Sequence, residues 1–396
     1  MSGTVNSISE QRSFNRLKVL FITASYPTKE NPVRGVFIRE HAKAVQNYDD
    51  VCVLYLRGIQ PGMKDLWRLE KDDFESAQTG IPTYHVWYKR LPIPNSTLLT
   101  YVYSAWRATL AIEKLGFTPH IIHAHIYKAG VPAVFIGKIK HLPVIITEHE
   151  TVFPRNLINK KEIRKAKFAF SSADAVLPVS KALLGGIMNH NIHANFQIIP
   201  NAVDTRIFHP PKQESYPREL IRLLYVGSLL PRKGVSFLLE ALAQLKMKRE
   251  DWCLDILGDG PNRDEYKNLS AELGLSEKVT FHGYKPKEEI AAVMRRAQLF
   301  ILPSLWENLP CVLIEAIASG LPILSTQAGG IPEIVDEEIG MLVPAGNVKE
   351  LSLGLTEMLS KLQTYDRSEI ASRSKRYSLE TIGREIHNIY KEFTQA

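Results

Sequence analysis

Apolar residues in this chain come mostly in short unbroken runs, separated by longer stretches whose apolar positions recur at helical spacing. Leu17-Lys-Val-Leu-Phe-Ile-Thr is the first such run, followed by Val51-Cys-Val-Leu-Tyr-Leu and, as the expected third, Thr83-Tyr-His-Val-Trp-Tyr. A run that is apolar on both faces predicts a strand of a parallel sheet covered by helices on each side. Helices are expected from about Val36 to Gln46, and from Asn95-Ser96 to Leu115. His120-Ile-Ile-His-Ala-His-Ile-Tyr and Val144-Ile-Ile-Thr-Glu-His-Glu continue the strand series. Asp174-Ala-Val-Leu-Pro-Val-Ser and the stretch Gln197-Ile-Ile-Pro-Asn-Ala-Val-Asp complete the first domain. A second series opens with Arg222-Leu-Leu-Tyr-Val-Gly-Ser. It runs through Leu254-Asp-Ile-Leu-Gly, Val279-Thr-Phe-His-Gly-Tyr, Leu299-Phe-Ile-Leu-Pro, Gly320-Leu-Pro-Ile-Leu-Ser and Gly340-Met-Leu-Val-Pro. Two or three helices follow, the last from about Ser378 to Phe393. Strands alternating with helices predict an α/β protein with two doubly wound parallel sheets. The start, 1–16, is polar and expected to begin in disorder.

The length of 396 residues agrees with two domains. No apolar run reaches membrane-spanning length, and MSGTVNSISEQRSF lacks the apolar core of a signal peptide. Cys52, Cys253 and Cys311 are scattered, with no metal-ligand spacing, and read as reduced core residues of a cytoplasmic protein. Charge is uneven: 1–210 carry a net +10 and the remainder −3. A basic first half suits an anionic partner such as a membrane surface or a phosphate-bearing acceptor, and a solvated basic face with no partner explains it equally. Nucleic acid is the weakest candidate, since no recognised nucleic-acid motif occurs. Trp87, Tyr88, Lys89, Arg90 and Leu91 precede a Leu/Tyr-rich helix, and core packing or contact with a bilayer would both use them.

The densest candidate chemistry lies between Ser304 and Val335. Glu307 and Glu315 stand eight residues apart around a helix start, where Asn308 is the expected N-cap and Pro310 a first-turn residue. A helix N-terminus presents N–H groups and partial positive charge, which suits a phosphate. Pro231-Arg-Lys-Gly, at a strand-to-helix loop after Gly227, adds two cations placed for a pyrophosphate without being a Walker loop. Gly35 ends the loop Thr28 to Gly35 after the first strand, where a plain turn and a close phosphate approach explain it equally. His123 and His125 alternate, so both point to one side, but no third ligand at useful spacing accompanies them. A dinucleotide-dependent oxidoreductase would need a glycine fingerprint where Ala24-Ser-Tyr-Pro stands.

The sequence E-x7-E, followed by EA-x-x-x-G-x-P and GG-x-P-E, resembles the nucleotide-sugar half of the retaining GT-B glycosyltransferases of family 4. Further motifs agree in order through most of the chain. The resemblance implies two Rossmann-like domains, 1–205 and 206–377, with the last helix, about 378–396, crossing back onto the first. It implies that Lys233 binds the diphosphate. Ser228 stands where the family often has arginine, so Arg232 is the candidate second cation. Glu315 is implied to take ribose hydroxyls and Glu307 the donor sugar's hydroxyls beside the developing oxocarbenium ion. Gly35, Gly227, Asn308 and Leu309 line the donor, and backbone groups at Tyr284 read the base. His125 is implied to hold the sugar by hydrogen bond, and His149 to line the acceptor side. His120 departs from the family's acidic residue in its D-I-I-H-x-H pattern. The implied reaction moves a sugar, with retention and by front-side attack, from a UDP- or GDP-sugar to a saccharide or lipid-linked acceptor. With no D-x-D pair in the chain, neither metal nor cofactor is expected. A sugar-nucleotide epimerase, a phosphorylase of the same architecture, and a non-catalytic sensor are the competing readings.

Overall fold

The computed structural model describes residues 16–58, 62–89, 91, 96–212 and 220–394. The polar start up to residue 15, together with Arg90 and Asn95, lies outside the described residues. The first unit runs β1 (Lys18–Thr23), α1 (Val36–Gln46), β2 (Asp50–Gly58), β3 (Trp67–Lys71), α2 (Asp73–Thr79), β4 (Thr83–Tyr88) and α3 (Ser96–Lys114). It continues through β5 (Ile121–His125), α4 (Tyr127–Lys140), β6 (Val144–Glu148), α5 (Lys160–Ser172), β7 (Ala175–Pro178) and α6 (Lys181–Met188). Its sheet has the order β3-β4-β2-β1-β5-β6-β7, parallel except for β3 at the edge. The second unit comprises β8 (Ile221–Val226), α7 (Val235–Lys246), β9 (Trp252–Leu257), α8 (Arg263–Glu272), β10 (Val279–Gly283) and α9 (Lys287–Arg296). Then come β11 (Leu299–Leu302), α10 (Cys311–Ala318), β12 (Ile323–Thr326), β13 (Gly340–Val343), α11 (Val348–Lys361), α12 (Arg367–Ser372) and α13 (Leu379–Thr394). The order β10-β9-β8-β11-β12-β13 is parallel throughout.

The two doubly wound sheets expected from the pattern are therefore present. The central strands β1, β5, β8 and β11 are buried on both faces along nearly their whole length, which is why they read as continuous apolar runs. Two expectations need correction. Thr83–Tyr88 is the fourth strand, because the half-exposed WRLEK of β3 pairs antiparallel with it. Such an edge strand has no apolar face strong enough to announce itself. Asn308 does not cap α10: Pro310, extended at φ −70° and ψ 116°, is the N-cap. The Asn308 amide is instead drawn away to the His149 carbonyl, 2.7 Å from it.

Helix α13 returns to the first unit. Its buried Leu379, Ile382, Gly383, Ile386 and Tyr390 form one apolar stripe, and it packs against α1. Gly383 permits that closeness, since a Cβ there would lie 2.1 Å from the Ala44 carbonyl oxygen. Gly383→Ala should therefore cost about 2–4 kcal/mol, measured as a lower urea midpoint, because two helix backbones must separate. An unchanged midpoint would mean that the crossing is loose.

Candidate active site

Both sheets turn the carboxyl ends of their strands toward the junction of the units, where open α/β sheets bind ligands. In the second unit, the chain after β8 makes a tight 3-10 turn, Pro231–Lys233, and ends it at Gly234 with φ 70°. A Cβ at Gly234 would lie 2.0 Å from the Pro303 carbonyl oxygen, so only glycine lets this loop lie against the exit of β11. That contact brings the Lys233 ammonium onto the Glu307 carboxylate, which also accepts from the Ser304 hydroxyl at 2.7 Å. From the other side, Gly329 and Gly330 press on the same segment. Cβ atoms there would lie 1.7 Å from the Glu307 carbonyl oxygen and 1.8 Å from that of Asn308. Glu307 is thus held between two glycine loops and an ion pair.

Glu315 sits on α10 with its carboxylate 3.5 Å from the Lys287 ammonium, which lies 3.1 Å from Glu40 of α1. Burial pushes the Glu315 carboxyl above its ordinary range, and Lys287 opposes that shift. Leu309 is buried and its carbonyl accepts from the Asn201 amide at 2.7 Å. Arg232 lies near the Tyr225 hydroxyl. Tyr284 is 46% exposed, just after β10. Gly227 follows β8, where a Cβ would approach the Tyr225 hydroxyl to 2.9 Å. Gly35 has φ 65°, and a Cβ there would lie 2.5 Å from the Ser25 carbonyl oxygen. Its glycine requirement thus comes from the chain returning against its own first strand.

In the first unit the two alternating histidines part company. His123 is fully buried, with both ring nitrogens bonded, to the Tyr390 hydroxyl at 2.5 Å and to Thr147 Oγ1 at 2.7 Å. His125, the last residue of β5, bonds through Nδ1 to His149 Nε2 at 3.2 Å and leaves Nε2 without a partner. The next residue, Ile126, takes φ 71°, a sterically costly value for a β-branched residue, as the chain turns from strand into α4. His41 of α1 completes the group. Its Nε2 donates to the Pro200 carbonyl at 3.0 Å and its Nδ1 has no partner. Burial lowers all three below the usual histidine range, His41 to about 4, so the cluster is neutral near pH 7.

One nitrogen from each of His41, His125 and His149 lies within 4.8 Å of the others, a metal-ligand set among the described residues that spacing alone did not predict. Its chemistry fits a metal poorly. The His125–His149 hydrogen bond needs one proton between the two rings, so only one of them can turn a lone pair inward. Two lone pairs and one N–H suit hydroxyl groups better than a cation.

The neutral cluster also has a pH signature. A folded value near 4 for His41, against about 6.5 unfolded, means that the unfolded chain binds the proton first. Stability is then lost as pH falls from about 6.5 toward 4, by about 3 kcal/mol for this one ring. Denaturant unfolding at pH 7 and 4.5 should show His41→Gln losing about 2–3 kcal/mol less than the parent chain over that interval. Equal losses would mean that His41 protonates freely in the folded protein.

Cross-junction contacts join the halves of the site. The Asn308 amide reaches the His149 carbonyl, and Glu333 accepts from the backbone N–H groups of Lys181 and Ala182, both at 2.8 Å. Lys233 and Glu307 meet directly, as do His125, His149 and Asn308 in sequence. The sequence analysis singles out none of His41, Lys287, Glu40 and Asn201, and holds Glu333 only as the last residue of the GG-x-P-E motif. Two polar residues, Glu40 and His41, on the buried face of α1 were the available signal in the first unit.

The profile of the family described as glycosyl transferases group 1 matches residues 209–375, and that of glycosyltransferase family 4 matches 65–207. The putative colanic acid biosynthesis glycosyltransferase WcaL of Escherichia coli K12 is 28% identical over 69% of this chain and 70% of its own. The putative teichuronic acid biosynthesis glycosyltransferase TuaC of Bacillus subtilis 168 is 26% identical over 86% of this chain and 88% of its own. Among solved structures, Anabaena HepE in complex with UDP has a TM-score of 0.74 at 20% identity, covering 95% of this chain and 100% of that one. Two abutting profiles, the paired parallel sheets and the shared architecture lead to one assignment: the chain belongs to the group 1, family 4 glycosyltransferases and has their GT-B fold.

Proposed function

We propose that this glycosyltransferase moves a sugar, with retention, from a UDP- or GDP-sugar to a hydroxyl of a saccharide or lipid-linked acceptor during assembly of an envelope or exported polysaccharide. The observation that carries the reading is the Lys233–Glu307 pair, clamped by glycines at the start of α10, in a junction whose other wall holds the neutral His125 and His149. The names of WcaL and TuaC point to polysaccharide synthesis, and HepE has been solved with UDP and with UDP-glucose. In this reading Lys233, with Arg232 and the α10 N-terminus, neutralises the leaving diphosphate without a metal. Glu307, Asn308 and Leu309 hold the sugar, Glu315 the ribose, Tyr284 the base, and Gly35 and Gly227 admit the phosphates. Neutral His125 accepts a sugar hydroxyl, and His149 faces the acceptor. The acceptor oxygen bonds to the anomeric carbon as the bond to the diphosphate oxygen breaks, and that oxygen takes the acceptor's proton.

The division at 205/206, with α13 returning to the first unit, belongs to the same proposal. So does docking of the basic first unit on the inner face of a membrane. No helix among the described residues is long and apolar enough to cross one, and α3 exposes Leu98 and Leu99. Binding to anionic vesicles that weakens as salt rises supports docking.

A panel of nucleotide-sugars tested by thermal shift is the direct experiment. The true donor at about 100 times its Kd should add about 2.7 kcal/mol of stability. Glu307→Ala should then keep donor binding and lose transfer. A panel without any shift overturns the reading. Release of an altered free sugar-nucleotide without acceptor would point to an epimerase instead.

A further inference from the structure

Helix α1 and the start of α9 meet across the junction at a buried row of charges. Lys287 lies between Glu40 at 3.1 Å and Glu315 at 3.5 Å, and Glu40 also has Arg39 at 3.7 Å and Lys43 at 3.8 Å. Glu40 is 2% exposed and the Lys287 side chain 16%. Ions removed this far from water cost several kcal/mol each unless paired, so every member of the row depends on the others. The Lys287 ammonium also stands 6.0 Å over the Phe208 ring, on the passage between the units. Glu40 belongs to the first unit and Glu315 to the second, and one ammonium serves both.

We propose that Lys287 is a positioning residue: it holds Glu315 ready for the nucleotide's ribose and, through Glu40, ties nucleotide binding to apposition of the two units. The inference rests on the reading of Glu315 as the ribose residue. Ribose hydroxyls donate, so they need an ionised carboxylate with a fixed orientation. Around Glu315, burial and Glu40 favour the neutral acid, while Lys287 favours the anion. The other charged or titratable groups facing this row are Arg39, Lys43 and His41 of α1, Tyr26 after β1, Arg206 on the passage between the units, Cys311 of α10 and Lys233 of the loop before α7. Lys233 is engaged with Glu307, and the Cys311 thiol is pushed up to about 12 by burial and stays neutral. Without Lys287, Glu315 takes up a proton at higher pH, turning one oxygen from acceptor to donor and removing the charge that strengthens bonds from the ribose hydroxyls. A separated pair of units would likewise leave Lys287 without Glu40, so closure and ribose recognition support each other.

Calorimetric titration of the full chain with UDP and with GDP, at pH 6.5 and pH 9, tests this. Glu40→Gln, a same-size change on the unit opposite Glu315, should weaken binding of the accepted nucleotide by about tenfold. Lys287→Met should weaken it at least as much at pH 6.5 and less at pH 9, because rising pH favours the carboxylate that Lys287 no longer supports, and Lys287→Arg should restore it. In the Lys287→Met background, Glu40→Gln should add little, because the two act through one ammonium. Wild-type affinity in Glu40→Gln and Lys287→Met, additive losses, or a loss independent of pH would overturn the proposal. If Lys287→Met does not fold, Glu40→Gln decides alone. Glu315→Gln separates the ribose contact from the bridge. Should it bind nucleotide normally, or should the wild type bind neither UDP nor GDP, the ribose reading fails and takes this inference with it. Should Glu315→Gln weaken binding while the other two do not, only the bridge fails.

Discussion

Replacing Lys233 by methionine should lower kcat/KM for sugar transfer by about 10²–10³-fold, the usual loss when a preorganised charge facing a developing anion is removed. The same change has a second effect. Glu307 is buried, and it would keep the Ser304 hydroxyl but lose its cation. An uncompensated buried carboxylate costs about 3–5 kcal/mol, so Lys233→Met should also be visibly less stable. Adding Glu307→Gln separates the two. The double variant removes the stranded charge and should recover most of the stability, while transfer stays at the lower level. Nucleotide release measured with saturating acceptor, beside a urea melt of each variant, provides the check. Activity that returns with the stability would show that Lys233 only balances Glu307 and takes no part in stabilising the leaving group.

Gly329→Ala should be the most damaging glycine-to-alanine change among the described residues. Gly329 has φ 58°, which costs an L-residue about 1 kcal/mol. Steric overlap costs more, since its Cβ would lie 1.7 Å from the Glu307 carbonyl oxygen, a distance only backbone movement can relieve. A total near 3–4 kcal/mol is expected from strain plus the forced shift. The segment that must move carries Glu307, so transfer should fall about 10²-fold even in the fraction that remains folded. Gly116 is the control. It has φ 95° with nothing within 4 Å of its Cβ position, so Gly116→Ala should bear only the backbone penalty and spare activity. Equal effects at the two glycines would mean that the Gly329 loop adapts, and that Glu307 is not held by it.

What could be read along the chain was whatever depends on near neighbours in sequence. The buried strands announced themselves because both faces are covered, and the glycines at 234, 329 and 330 because tight turns need them. Lys233, Glu307 and Glu315 stood out as candidates because the latter two share one short segment and Lys233 lies in one strand-to-helix loop, while their proposed roles came from the motif resemblance. The helix start after Glu307 was misread by two residues. A side chain with good capping chemistry, Asn308, has a stronger claim on it from the His149 carbonyl across the junction.

Sequence by itself determined the class of fold and most of its strands and helices, because periodicity and turn chemistry are local, and its motifs carried the resemblance to the family; the edge strand β3 it did not announce. Tertiary structure alone decided which of two alternating histidines is satisfied, the recruitment of His41 to a cluster with His125 and His149, and the bridge from Glu40 through Lys287 to Glu315. Those contacts join residues far apart in the chain. Strand order and helix crossing set them, and no local pattern of apolar and polar positions encodes the distance between two remote side chains.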